Sequence, residues 1–573
     1  MQLNKILSTL SATGLLFVAA PASADPLALA YMPSDVNLSC DVSESGFSDS
    51  WARLELNGAP TGLGPIYDVD NGLVYVFPPD GPAFNAAASN CDAFEWASQM
   101  FLWLTSTVTV NRLGGGHDPA LPSDPKPTSA ATNYVLSSEF MYRFDSGALQ
   151  TQSNGQTLVR QSKVDEDADG NPVDGVEQAG SNGVLFTQGD TSVSTGSSLV
   201  YYDVYTSRPY GYVRAANLAS AAGELPFTEF PANAEAVCGA IEYGLKNGFL
   251  KPKDIPLNTA IYGLLCKGVV PSGSLLGGDG PRPTVSEVES AIDYLSMALE
   301  VKASWVLASS VANPDHYIVQ NSTVPVFEAD GTTGALKQVG TQTVDLAMIG
   351  IHVVGSVNGH PEMIWATFEH YDNAPNVDYS YNDTTGATQT FSDMTTLASD
   401  GWLISDGTPT NANKEFASLV DGKITPSGSG AVTTPTNAVR VSPWGSDPTA
   451  ASAATNTDVI SSNVSVINAL SGFYLGADGS EAAKQMLSQT DPRMNYILTG
   501  ASWGKMGAFP ERDVLTNVAG TPVMANTTME TFDQKSFAEY NGCFSCHGTS
   551  EPVGGFSVSH LFGDVSEVSK NSD

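Results

Sequence analysis

The chain has 573 residues, with 25 Lys and Arg against 61 Asp and Glu, for a formal net charge of −36. A field of that sign excludes nucleic acid and anionic membrane surfaces as partners, and favours cationic ones or a salty habitat that screens the repulsion. The length allows one large domain or two to four average ones, and the low charged fraction with abundant Gly, Ser, Thr and Asn is that of a loop-rich exported bacterial protein.

Residues 1–24 read as a secretory signal peptide. Lys5 supplies the positive n-region, Leu10 to Ala20 a short apolar run, and Ala22-Ser23-Ala24 the small-residue cleavage site. That run is too short to span a bilayer, and no later stretch approaches 18 apolar residues, so no membrane span is expected. The mature chain then starts at Asp25, loses Lys5 and carries 24 basic against 61 acidic residues, a net −37. Its expected location is periplasmic or secreted, in a Gram-negative bacterium.

Residues 25 to 88 form an irregular segment with short strand-like pieces such as Leu73 to Phe77. A helix is expected over Cys91–Leu104, capped by Asn90, with Asp92 complementing its dipole. Its dense aromatics, Phe94, Trp96, Phe101 and Trp103, fall at a spacing that marks core. From 134 to about 215 the chain reads as β, most clearly over Leu199–Tyr205. Within it, Asp165, Asp167 and Asp169 open a D-x-D-x-D-G stretch. Val176 stands where an EF-hand needs Glu, which leaves an acidic hairpin turn or a non-EF Ca2+ site.

Thr284 and Glu287 form a capping box, and Ile292, Leu295, Leu299 and Val306 then predict a helix ending near Ser310. A strand is expected over His316–Phe327. A strong apolar hairpin follows, with arms Leu346–Val354 and Glu362–His370 joined through Asn358-Gly359-His360-Pro361, as the centre of a sheet. Residues 375–460 read as surface loops with strand fragments such as Ala438–Val441, and helix resumes at Asp458–Phe473 and Glu481–Leu487.

The motif with the sharpest chemistry comes last. Cys543-Phe544-Ser545-Cys546-His547 is a C-x-x-C-H, the spacing in which two thiols add to the vinyl groups of a haem and the His meets the iron. Phe532–Tyr540 reads as a short helix leading into it. A thioredoxin-like pair wants a strand before and a helix after, and zinc wants a second ligand pair, where only His560 is close by in sequence. Only 26 residues follow His547, and none is Met. No complete small cytochrome domain fits in that space, so the large domain must supply part of the haem pocket. The distal position is open between Met529, His560 and neither.

The other four cysteines stand in an oxidising compartment. Cys40–Cys91 and Cys238–Cys266 are the pairings nearest in sequence, with buried thiols as the alternative. Outside the haem motif, His352, Glu369, His370 and Asp372 are the densest group of acid/base residues. Alternation puts Glu369 and His370 on opposite faces of their strand. They read as a satisfied buried network, with His352 or Glu369 at the haem edge as the catalytic alternative. Glu300 and Lys302 read as structural.

Several landmarks together resemble an exported bacterial family known only as "cytochrome c family protein". They are the aromatic helix CDAFEWASQMFLWL, the Glu300-x-Lys302-x-x-Trp305 helix, IGIHVVGSVNGHPEMIWATFEHYDNAP, MNYILTGASW, and Asn526-Thr527-Thr528-Met529-Glu530-Thr531 before one terminal C-x-x-C-H. The resemblance spans roughly residues 90 to 565 and implies export and haem c, with no substrate. The expected fold is α+β: a large mixed domain with a central antiparallel β-sheet, several helices and long loops, residues 89–525, following the segment 25–88. A short C-terminal haem-binding segment, 526–573, packs on it. The expected function is that of an exported monohaem c-type cytochrome in electron transfer, serving a basic redox partner protein or a small-molecule donor or acceptor. The alternative is a haem c-dependent oxidoreductase, peroxidase- or oxidase-like, acting on a small substrate held by the large domain.

Overall fold

The computed structural model describes residues 27–40, 66–68, 72–74, 89–105, 109–110, 134–137, 141–145, 148–151, 157–158, 160–161, 185, 187, 198–220, 230, 234–250, 266, 297–329, 336–357, 359–392, 401–405, 418–420, 423–425, 438–471, 492–505, 509–511, 515–530, 542–548, 555–565 and 567–568. The Asp165–Asp169 stretch, the Thr284 capping box, the lead-in helix Phe532–Tyr540 and the helix Glu481–Leu487 lie outside them.

The fold is α+β, organised on a 12-stranded, mostly antiparallel sheet. We name the strands that position the site β1 (Met141–Asp145), β2 (Ala148–Thr151), β3 (Tyr201–Ser207), β4 (Leu299–Leu307), β5 (Val319–Ala329), β6 (Leu336–Val357), β7 (His360–His370), β8 (Tyr496–Gly504), β9 (Val518–Gly520) and β10 (Glu567–Val568). Their order across the sheet is β9-β8-β7-β6-β4-β3-β1-β2-β10, with β5 paired to β6. The last strand, β10, runs parallel to β2, so the C-terminal segment is woven into the sheet it covers.

The hairpin is central, as its two apolar arms predict. β6 and β7 pair from Gly350 with Glu369 to Val357 with His360, and each has another strand on its far side. The first arm is longer than expected, because residues 336–345 pair with β5.

The predicted helix through Leu299 and Val306 is a strand over those residues. Leu299, Val301, Ala303 and Trp305 alternate with Glu300, Lys302 and Ser304, and the first four are buried in one core cluster. Leu299 and Val306 fit a helical stripe by spacing alone. Pairing with β3 on one side and β6 on the other satisfies the whole backbone as sheet.

Two helices lie where the sequence reading had none. Arg208–Ala219 (α2) begins inside the stretch expected to be β, with Pro209 at its start; Ala234–Lys246 (α3) has Glu235 in its first turn and Lys246 in its last. The aromatic helix Asn90–Leu104 (α1) forms as expected, but Ser89 caps it, accepting from Asp92 N at 3.3 Å. Ala453–Ser471 (α4) begins earlier than predicted. Arg440 makes one bridge with Asn376, and Ala438–Val441 forms no strand.

The sheet divides two interiors. One face carries Tyr201, Tyr205, Val301, Ala303, Ile351, Val353, Ile364, Ala366 and Phe368, packed with α1 and α4. There Phe94 and Trp96 are fully buried, and Phe101 stacks on Phe368 at 4.5 Å. The aromatics of α1 are therefore core. The opposite face carries Met363 and Trp365 beside Tyr210, Tyr212 and Val213 of α2 and Phe544, Phe556 and Phe562 of the C-terminal segment. Among the described residues no helix is long and apolar enough to cross a membrane.

Both disulfides pair nearest neighbours, Cys40 with Cys91 and Cys238 with Cys266. With partners 51 and 28 positions apart in sequence, the chain-entropy relation assigns them about 4 and about 3.5 kcal/mol. Replacing both members of a pair with Ser is expected to cost amounts of that order. Urea denaturation of each double variant checks this; an unchanged midpoint contradicts it.

Candidate haem-binding site

Cys543–His547 form a single helical turn, with Gly542 at its N-cap and Gly548 closing it. Gly542 is required by a close approach: a Cβ there would collide with the carbonyl oxygen of Pro522. The turn is thus seated on the loop that follows β9. Phe544 is buried and meets Trp365 edge-on at 5.8 Å between ring centres.

His547 is held from three sides. Its ring lies 4.3 Å from that of Trp365 and stacks on His560 at 4.2 Å, and its Nδ1 is 2.8 Å from the carbonyl oxygen of Val558. A carbonyl only accepts, so Nδ1 carries the proton and Nε2 keeps its lone pair. Burial, with the charges of His560, His352 and Lys302 nearby, holds its pKa well below the ordinary histidine range. A neutral imidazole whose Nδ1–H is engaged and whose Nε2 is aprotic is the form a metal ion takes.

The segment behind Val558 is anchored to the sheet. Ser559 Oγ donates to Glu300 Oε2 on β4 at 2.5 Å, lies 2.9 Å from the hydroxyl of Tyr210 on α2, and accepts from Phe562 N at 3.2 Å. Arg214 of α2 donates to Val565 O at 2.7 Å and lies over the Phe562 ring. Glu300, read as structural from the sequence, is what ties the His547 support to the sheet.

The turn 526–530 lies on the same face, one step further along the strands. Asn526 Nδ2 donates to Thr367 Oγ1 and Phe368 O, Thr528 Oγ1 meets Ser304 Oγ at 2.7 Å, and Tyr202 donates to Thr528 O. Gly350 permits this: a Cβ there would meet Thr528, Ser304 and Asn526 side chains within 3 Å. Glu530 accepts from Asn526 N at 2.7 Å and pairs with His352 Nε2 at 2.7 Å. Burial works against the Glu530 charge, but His352, Lys302 and the Asn526 N–H offset it and hold the carboxyl below its usual range. Burial also pulls the Lys302 ammonium down to about 8, against Glu530 and Glu300.

The candidates separate in space. Cys543, His547, His560, Glu300 and His352 lie on one sheet face with the C-terminal segment. Further along that face, Met529 is fully buried in an apolar cluster with Leu185, Val200, Tyr202, Val306, Ala347 and Ile349, none of them from the C-terminal segment after Met529. His560 is exposed.

Glu369 and His370 point apart, as the alternation predicts. Glu369 is an anchor: it accepts from Asn373 at 3.2 Å and from Thr527, and Arg440 Nε lies 2.9 Å from it. His370, fully buried, stacks on Tyr317 at 3.8 Å, donates from Nε2 to His316 O, and accepts at Nδ1 from Asp372 N. Both nitrogens of a neutral ring are committed, and burial lowers its pKa to about 3. Unfolding restores an ordinary pKa, so between about 6.5 and about 3 the unfolded chain binds the extra proton. This contribution is intact above pH 6.5 and lost as the pH falls towards 3. His370→Gln is expected to flatten that part of the stability–pH profile, measured by denaturation from pH 7 to pH 4; a parallel slope in the variant contradicts the assignment.

No family model, no curated protein and no solved structure matches this chain.

Proposed function

We propose that the protein is an exported monohaem c-type redox protein that passes single electrons to or from a basic partner protein or a small-molecule donor or acceptor. The observation that carries this reading is the state of His547. It directly follows the C-x-x-C pair, and its Nδ1–H is spent on Val558 O, which leaves Nε2 for iron.

Cys543 and Cys546 would hold the haem through thioethers and His547 would ligate its iron; the group supplies one-electron chemistry. The polypeptide's part is to fix His547 through Val558, Ser559 and Glu300, and to keep the ring neutral by burial. The formal net charge of −36 favours a basic partner. We place the protein in the periplasm or outside the cell. The two disulfides fit an oxidising compartment, and residues 1–24 fit a cleaved signal.

The test is expression with a haem-maturation system, followed by intact mass and a potentiometric titration. One haem adduct on a chain beginning at Asp25, with a reversible one-electron wave, is expected. A chain of polypeptide mass alone overturns the reading.

A further inference from the structure

Resting on the haem reading above, the geometry points to His352, oriented by Glu530, as the second axial ligand of the iron. His547 and its support occupy one row across the sheet: Val354 of β6 stands opposite Glu300 of β4 and Trp365 of β7. Glu300 holds Ser559, and Trp365 underlies the His547 ring. The next row on the same face is Lys302, His352 and Thr367. Rows two residues apart are separated by about 6.6–6.8 Å along the strand. His352 is thus rooted on the sheet in the row beside the one that carries Trp365 and Glu300, and His547 faces that sheet from the covering segment.

His352 also has the partner that a ligating histidine takes. Its Nε2 pairs with Glu530 at 2.7 Å, and Glu530 is itself fixed by Asn526 N. A carboxylate on one ring nitrogen sets the tautomer and makes the other a stronger donor. The remaining candidates are placed differently. His560 lies face to face with His547 at 4.2 Å, with 23° between the planes, whereas axial imidazoles point their nitrogens at the metal from opposite sides. Met529 is enclosed in its apolar cluster.

The experiment uses holoprotein whose haem content is first established by mass, so that loss of covalent haem tests the haem reading separately. Wild type is expected to show a six-coordinate low-spin bis-histidine spectrum that carbon monoxide leaves unchanged when reduced. His352→Gly is expected to turn high-spin, to bind carbon monoxide, and to recover the low-spin spectrum with added imidazole. His560→Ala and Met529→Leu are expected to stay low-spin and closed to carbon monoxide. The inference is overturned if haem-loaded His352→Gly matches wild type, or if His560→Ala or Met529→Leu opens the site. Should His352→Gly not fold, wild type and His560→Ala decide. Carbon monoxide binding or a methionine charge-transfer band in wild type, or carbon monoxide binding by reduced His560→Ala, overturns it.

Discussion

Cys543→Ala with Cys546→Ala is expected to abolish covalent haem, leaving a chain that gives up any pigment to acidic organic extraction. Each single variant is expected to keep one thioether. The double change removes both attachment points, and only coordination by His547 and His352 would then hold the group. Little of the fold should be lost, because the seat of the motif is built elsewhere. Gly542 packs on Pro522, Phe544 on Trp365, and Ser559 is tied to Glu300. Mass spectrometry and a pyridine haemochrome spectrum of each variant check this. Full covalent haem in the double variant would sink the assignment of the motif.

Arg440→Ala is expected to be the most damaging single change outside the haem motif, with a loss of about 3–5 kcal/mol, the cost of stranding one member of a buried ion pair. Arg440 is 3% exposed. Its Nη2 donates to His370 O at 2.9 Å and Tyr371 O at 3.1 Å, its Nη1 donates to Ala374 O, and its Nε lies 2.9 Å from Glu369. Removal leaves the Glu369 carboxylate buried, supported by Thr527 and Asn373 alone among these partners. Thr527 belongs to the turn that positions Glu530, so the damage reaches the His352 side of the site. Arg440→Ala with Glu369→Gln is expected to recover part of the loss, since it removes the uncompensated charge. Urea midpoints for the single and double variants measure both effects. A single-variant loss below about 1 kcal/mol would remove the pair from the anchoring role.

The motif, the apolar hairpin and the aromatic helix were legible because each is a local pattern: fixed spacing, a run of apolar residues with a turn, or a cap before a dense stripe. Disulfide partners were also close in sequence, and proximity favours the nearest closure. The segment around Glu300, Lys302 and Trp305 was misread for the opposite reason. Its apolar spacing fits a helical stripe and an alternating strand alike, and short apolar runs leave those two ambiguous. Neighbours 94–104 and 39–56 residues away in the chain, on β3 and β6, make it a strand. Pro209 was the available signal for α2, and it was outweighed by the apolar, aromatic run before it.

What the sequence by itself determined is the C-x-x-C-H spacing on which the haem proposal rests, because covalent attachment needs residues at fixed offsets along one turn. The strong acidic charge and the hairpin at the centre of the sheet are likewise set by composition and local pattern. What only the tertiary structure decided is which distant residues face that motif. Val558 as the acceptor for His547, Glu300 as the anchor of Ser559, and Glu530 as the partner of His352 join positions 11, 259 and 178 residues apart. Strand order and register bring them to one face, and register is a property of the paired sheet, invisible in any single strand.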